Sequence, residues 1–254
     1  PDDSSPGETD LGDAAIVDAA AASARACFQK AWGQLGGQER RRLLLAFADR
    51  IAAHAEQLTL LEMLEVGRPR ADAAAINASA ADLVRNYANM IEKVHGDLFR
   101  AEDSRLGVVW RRARGVVGAI VPWNVPVMNV LLRVAPALAA GNTIVVKPPE
   151  NSPRSALLLA RLASEAGIPD GAFNVVLGAG PHAGPAPAAP PRGNLITFTG
   201  STRTGQAISQ AAAQNSMKPV LLECGGKSPQ VMLEDMFADP GMWRLIFFSA
   251  FWDT

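Results

Sequence analysis

Cysteine, histidine and aromatic residues are scarce in this 254-residue sequence, and each scarcity closes off a class of function. Two cysteines, Cys27 and Cys224, cannot build a disulfide framework and suit a reducing compartment. The three histidines, His54, His95 and His182, stand singly, and no pair has the spacing of metal ligands, so no metal site is expected. Aromatic residues make up 6% of the chain and are not interleaved with basic runs. With 24 basic residues against 25 acidic ones, the net charge of −1 offers no polyanion-binding surface, and no nucleic-acid partner is expected. No positively charged, then apolar, opening precedes Asp13; together with the cysteine usage this points to a cytoplasmic protein. An uninterrupted apolar run is missing too. The most membrane-like stretch, Gly115 to Gly141, carries Asn124, Asn129, Arg133 and three prolines, which suits a buried strand and helix better than a membrane span.

What is present is a large apolar fraction, 48%, enough for a sizeable core. Residues 13–95 read as helix. Asp13 to Trp32 is alanine-rich, with Ile16, Ala20, Ala24 and Cys27 at helical spacing. Gln38 to Glu65 carries an apolar stripe through Leu43, Leu44, Phe47, Ile51, His54, Leu58 and Leu61, and predicts one long amphipathic helix. Gly67-Arg68-Pro69 ends it, and a third helix is expected over Ala71 to Val94. The character changes at Asp97. Leu106 to Arg114 alternates as an extended segment with Arg111, Arg112 and Arg114 exposed. Strands are then predicted at Val116–Val121, Thr143–Lys147, Asn174–Leu177, Leu195–Thr199 and Val220–Glu223. Helices at Val125–Ala139, Ser152–Ala166 and Arg203–Gln214 separate several of them. This alternation gives an α/β fold: N-terminal helices followed by a doubly wound parallel sheet. Between Gly178 and Pro191 the density of Pro, Gly and Ala argues against a regular crossover helix.

Ligands on such sheets bind at the carboxyl ends of the strands, so the residues just after each strand carry the information. Four clusters stand there: Pro122-Trp123-Asn124, Lys147-Pro148-Pro149-Glu150, Phe198 through Gly205 (FTGSTRTG), and Leu222 through Pro229 (LECGGKSP). Gly200, Ser201 and Gly205 form a turn into a helix, where free N–H groups and the helix dipole suit a diphosphate; an ordinary cap on Ser201 or Thr202 explains the same residues. A dinucleotide fingerprint of the form G-x-G-x-x-G is absent. Lys147 and Glu150, three positions apart, suit the two hydroxyls of a ribose, or form a surface ion pair of little value. Asn124 is placed to donate to a developing oxyanion, or is a turn residue. Glu223, in a half-buried setting, suits a general base with a raised pKa, or caps nearby N–H groups. Taken singly, each cluster leaves both explanations open.

Taken together, the order PWN, KPxE, FTGSTxxG and LExGGKSP on successive βα units resembles the aldehyde dehydrogenase superfamily, from about Asp13 to Thr254. In that family a cysteine attacks the aldehyde, the adduct passes a hydride to NAD(P)+, and the resulting thioester is hydrolysed. The resemblance implies Asn124 as the oxyanion-hole amide and Glu223 as the deacylation base. It implies Lys147 and Glu150 at the adenosine ribose, and Gly200, Ser201 and Gly205 at the diphosphate. Pro122, Trp123, Cys224 and Gly225, with Glu223, would lie beside the nicotinamide. Glu150 would repel a 2′-phosphate, so NAD is expected over NADP. The resemblance divides the chain into a Rossmann-like cofactor domain, 1–225, and the start of a truncated catalytic domain, 226–254. The cofactor domain includes an oligomerisation-type hairpin at about 97–114 and βα units over 115–225, and a homo-oligomer is expected of the full-length enzyme. Phe251 to Thr254 resembles the opening of the family's F-x-N-x-G-Q-x-C, with Asp253 where asparagine is usual. Cys224 occupies a variable position, with neighbours that predict a buried thiol rather than a nucleophile. The expectation is therefore a cofactor-binding portion that does not oxidise aldehydes as these 254 residues alone. The alternative is a non-catalytic NAD-binding remnant, which has no need of an intact Asn124 and Glu223.

Overall fold

The computed structural model describes residues 12–178, 193–215, 217–229, 231–234, 236, 241–244 and 246. The Pro-rich segment after Gly178 and the tail Phe251–Thr254 lie outside the described residues. Two compact units divide the chain, Pro1–Cys224 and Gly225–Thr254.

Helix α1, Ala14–Lys30, starts where Asp13 caps it, its carboxylate accepting from the Ala15 and Ile16 N–H groups at 2.9 and 3.1 Å. The buried stripe is Val17, Ala21, Ala24 and Cys27, not the stripe expected through Ile16, which is 51% exposed. A helix rich in alanine has little contrast between its faces. The partners decide its rotation: Val17 and Ala24 pack with Val116, Val145 and Val176.

The expected long helix is two, α2 at Gly37–Ala53 and α3 at Ala55–Val66. The break falls at His54, whose Nδ1 lies 2.8 Å from the Arg50 carbonyl. That carbonyl only accepts, so the ring donates and competes with the helix's own bonding. The expected third helix divides likewise into α4, Arg70–Ala78, and α5, Ala80–Met90. At this junction Ser79 Oγ donates to the Ile76 carbonyl at 2.7 Å. Gly67 ends α3 at φ +69°, a left-handed cap that a side chain would strain.

Strands β1, Asp97–Glu102, and β2, Arg105–Val109, form an antiparallel hairpin pairing Asp97 with Val109 and Leu98 with Val108. It is exposed along its length, including Leu98, Phe99, Leu106 and Val108.

The remaining strands, β3 (Val116–Ile120), β4 (Thr143–Lys147), β5 (Phe173–Val175), β6 (Leu195–Gly200) and β7 (Val220–Cys224), make one parallel sheet in the order β5-β4-β3-β6-β7. Chain order reverses between β3 and β6, the crevice where doubly wound sheets take ligands. Helices α6 (Pro126–Ala139) and α7 (Arg154–Glu165), with α2 and α5 behind them, cover one face through Val117, Ala119, Ile144 and Val146. Helices α1 and α8 (Thr202–Asn215) cover the other, with Ile208 and Ala212 of α8 packing on Ile120, Ile196 and Phe198. Trp32, fully buried, ties the layers by donating its indole N–H to the Leu138 carbonyl at 3.2 Å. No helix among the described residues is long and apolar enough to cross a membrane.

Candidate active site at the carboxyl edge of the sheet

The strand register brings the four sequence clusters to one edge. Ile120 of β3 pairs with Lys147 of β4 and Phe198 of β6, while Thr199 pairs with Glu223 and Gly200 with Cys224. With neighbouring strands about 4.8 Å apart, the edge from β4 to β7 spans roughly 14 Å.

Alternation along each strand decides which face a side chain joins. Lys147 follows Val145, which packs with α1, so it points to the face shared by α1 and α8. Its side chain is 5% exposed, and Nζ donates to the Pro148 carbonyl at 3.2 Å and to Glu150 Oε1 at 3.3 Å. Glu150 is half exposed, at 45%. This is not the freely solvated surface pair that spacing alone allows, because the ammonium is held in place by burial. Beside it, Ser201 caps α8: its Oγ accepts from the Thr204 N–H at 3.3 Å and lies 2.9 Å from Thr204 Oγ1. Gly205 is buried in the first turn of α8, and a Cβ there would sit 2.9 Å from Cys224 Sγ. A side chain at 205 would press on the Cys224 thiol where α8 approaches β7. Gly200, at the end of β6, is half-buried.

Glu223 belongs to the opposite face. With Leu221 it lines a cleft of about 360 Å³ walled by Leu132, Arg133 and Pro136 of α6 and by Thr197 of β6. Arg133 donates to Thr199 Oγ1 at 2.6 Å, and its buried Nε has no hydrogen-bond partner among the described residues. The half-buried setting expected for Glu223 and the buried thiol expected for Cys224 are both corrected: the two residues are exposed. Among the described residues β7 is the outer strand of the sheet, bonded to β6. Cys224 faces away from Glu223, toward Gly205. Gly225 is also exposed.

Asn124 lies in the loop between β3 and α6, exposed, after a half-buried Pro122 and an exposed Trp123. Its side-chain oxygen accepts from Asn129 Nδ2 at 3.0 Å, and the same nitrogen donates to the Pro122 carbonyl at 3.4 Å. Its main-chain carbonyl accepts from the Arg68 guanidinium at 2.5 Å. Arg68 in turn stands 3.7 Å from Glu62, a fully buried carboxylate that accepts from the Val127 N–H at 3.3 Å. Burial pushes the Glu62 carboxyl above the usual carboxylate range, against the smaller opposing pulls of the Val127 N–H and the Arg68 charge. Among the described residues no group of three or more His, Cys, Asp or Glu side chains converges as a metal ion would need.

The structure therefore gathers Lys147, Glu150, Ser201 and Gly205 on the α8 side and Glu223 on the α6 side, with Asn124 anchored from α6. Sequence reasoning missed Glu62, Arg68, Asn129 and Arg133 as parts of this edge. A signal existed for three of them. Glu62 lies four residues after Leu58 on an apolar stripe, and Asn129 and Arg133 share one line on an otherwise apolar helix.

Residues 2–252 match the model of the aldehyde dehydrogenase family. The NADP/NAD-dependent aldehyde dehydrogenase PuuC of Escherichia coli K12 is 42% identical over 221 residues, 86% of this chain and 45% of PuuC. A crystal structure of an NAD-dependent aldehyde dehydrogenase from Sinorhizobium meliloti superposes with a TM-score of 0.84 at 43% identity, covering 87% of this chain and 44% of that one. The structure of PnpE in complex with nicotinamide adenine dinucleotide gives 0.83 at 44% identity, over 85% and 44% of the two chains. The chain thus spans about half the length of the curated relatives it matches. Its edge loops, its sheet order and this similarity along nearly all its residues lead to one statement: the chain belongs to the aldehyde dehydrogenase family.

Proposed function

We propose that these residues form the NAD-holding portion of an enzyme that oxidises an aldehyde to a carboxylic acid through a thioester. Residues 226–254 then open its catalytic domain. The observation that carries the reading is the division of the sheet edge. Nucleotide-holding groups lie on the α8 side, and groups suited to acyl chemistry lie on the α6 side.

The residues present fit the cofactor. Lys147 spends two of its three ammonium protons on Pro148 and Glu150 and has a third for a ribose hydroxyl. Glu150 accepts from the neighbouring hydroxyl and repels a 2′-phosphate, which favours NAD over NADP. The turn Gly200–Gly205 offers the amide groups at the start of α8 to a diphosphate. Trp123, Pro122 and the backbone at Cys224-Gly225 wall the nicotinamide end. When bound, NAD+ supplies the hydride acceptor.

For the acyl chemistry, Asn124 presents its side-chain NH2 to the oxygen that gains charge. Glu223, in the cleft beside Arg133, takes a proton from the water that hydrolyses the thioester. Neither cysteine here suits the nucleophile: Cys27 is buried, and Cys224, though exposed, faces the α8 side, away from Glu223. Residues 1–254 alone accordingly give no NAD-dependent aldehyde turnover. The uncovered apolar side chains of the β1–β2 hairpin support assembly as a homo-oligomer, and the two free cysteines support a reducing cytoplasm.

The test uses the complete reading frame. Glu223→Gln is expected to leave a single burst of NADH and to remove steady-state turnover. Steady turnover equal to that of the unaltered enzyme would refute the assignment.

A further inference from the structure

A side-chain amide has two unlike ends, one accepting and one donating, in nearly the same volume. Which end Asn124 turns outward decides whether it stabilises an oxyanion or repels it. Asn129, in the second turn of α6, settles the question. Its Nδ2 lies 3.4 Å from the Pro122 carbonyl oxygen and 3.0 Å from the side-chain oxygen of Asn124. A backbone carbonyl only accepts, so the Asn129 atom facing Pro122 is its NH2 and not its oxygen. That same nitrogen then demands an acceptor from Asn124. Both Asn129 hydrogens are consumed, one by each carbonyl, and the Asn124 NH2 is left as the outward end. The other side-chain donor on this line of the helix, Arg133, is directed to Thr199 Oγ1, and Val125, Val127, Met128 and Val130 are apolar. From the other side the Arg68 guanidinium fixes the Asn124 main chain through its carbonyl.

We propose that Asn129 is a positioning residue: it fixes the orientation of the Asn124 amide so that the NH2, and not the oxygen, meets the oxyanion formed during aldehyde oxidation. This rests on the oxyanion role proposed for Asn124. An apolar residue at 129 would leave the amide able to turn over. An acidic one would reverse it.

The experiment compares Asn129→Leu, Asn129→Asp and Asn124→Ala in the complete enzyme, each checked by thermal melting, with kcat and KM for aldehyde and NAD+ as readouts. Loss of one oxyanion donor lowers kcat about 10²–10³-fold, and Asn129→Asp is expected to approach that loss. Asn129→Leu is expected to lose roughly tenfold in kcat with KM for NAD+ changed by less than about twofold, because only the chemical step loses an interaction. In the Asn124→Ala background, Asn129→Asp is expected to cost nothing more in kcat, since the two residues act as a unit. A merely structural role would lower the melting temperature, raise KM for NAD+ and persist in that background, and this result overturns the proposal. Full kcat in Asn129→Asp beside a crippled Asn124→Ala overturns the positioning role alone. Full kcat in Asn124→Ala overturns the oxyanion role itself, and Asn129 falls with it.

Discussion

Lys147→Met removes the ammonium while keeping most of the buried stem, so it isolates the charge from the packing. The Lys147 side chain is 5% exposed, and two of its protons are already bound within the strand-end loop. A hydrogen bond from a charged group to a ribose hydroxyl contributes about 1.5–3 kcal/mol. At about 1.4 kcal/mol per tenfold, its loss weakens nucleotide binding roughly 10- to 150-fold. Folding is expected to suffer little. Methionine keeps the buried stem packed, and Glu150, 45% exposed, regains water when the ammonium goes. The assay is isothermal titration with AMP and with NAD+, since AMP carries the adenosine ribose and a phosphate but no nicotinamide. Both ligands are expected to weaken by the same factor at an unchanged melting temperature. An AMP dissociation constant within about twofold of the unaltered protein, a change below 0.5 kcal/mol, would refute the ribose assignment.

Three further perturbations follow from the same geometry. Glu150→Gln removes the charge that opposes a 2′-phosphate, so the ratio of NADP+ to NAD+ affinity is expected to rise; an unchanged ratio in competitive titration would contradict it. Glu62 has its pKa raised by burial, so its favourable contribution to stability is complete below the ordinary carboxylate range and is lost as pH rises through the raised value. Glu62→Gln keeps an acceptor for the Val127 N–H and is expected to flatten that fall; a stability difference from the unaltered protein that is constant with pH would be inconsistent with it. Gly205→Ala places a Cβ 2.9 Å from Cys224 Sγ, an overpacking that costs about 1–3 kcal/mol in denaturant melts. Adding Cys224→Ala is expected to recover part of the loss, and no recovery would point to another cause.

Much of this fold is legible because short apolar strands bounded by turns leave little choice. Strand β4 occupies Thr143–Lys147 as its β-branched run predicts, and β3, β6 and β7 differ from expectation by one residue at an end. The helical region is less legible. Nothing in the apolar periodicity marks His54 or Ser79 as breaks, because each acts through one side chain bonding back to a carbonyl of the turn before it. In α1, Ala24 and Cys27 of the expected stripe are buried but Val17 takes the place of Ile16, because alanine fits either face and leaves the rotation open. At the candidate site, strand-end position marks the clusters that hold Lys147, Ser201, Glu223 and Asn124 but leaves their roles open; the family resemblance supplies those. What holds them is less legible: Asn129 lies only five residues from Asn124, on the same helix line as Arg133, but Glu62 and Arg68 come from a distant segment that only the packing of α3 and α6 brings close. The exposure of Glu223 and Cys224 was equally hidden, since their place on the outer strand depends on the strand order.

The proposed function requires a dinucleotide to lie along the carboxyl edge of the sheet, across the β3–β6 crevice. A crystal structure of the complete protein with NAD+ tests this most directly. The adenosine ribose hydroxyls are expected within about 3.2 Å of Lys147 Nζ and the Glu150 carboxylate, with the diphosphate at the start of α8 and the nicotinamide near Trp123. Density for the dinucleotide elsewhere, with Lys147, Ser201 and Asn124 untouched, would contradict it.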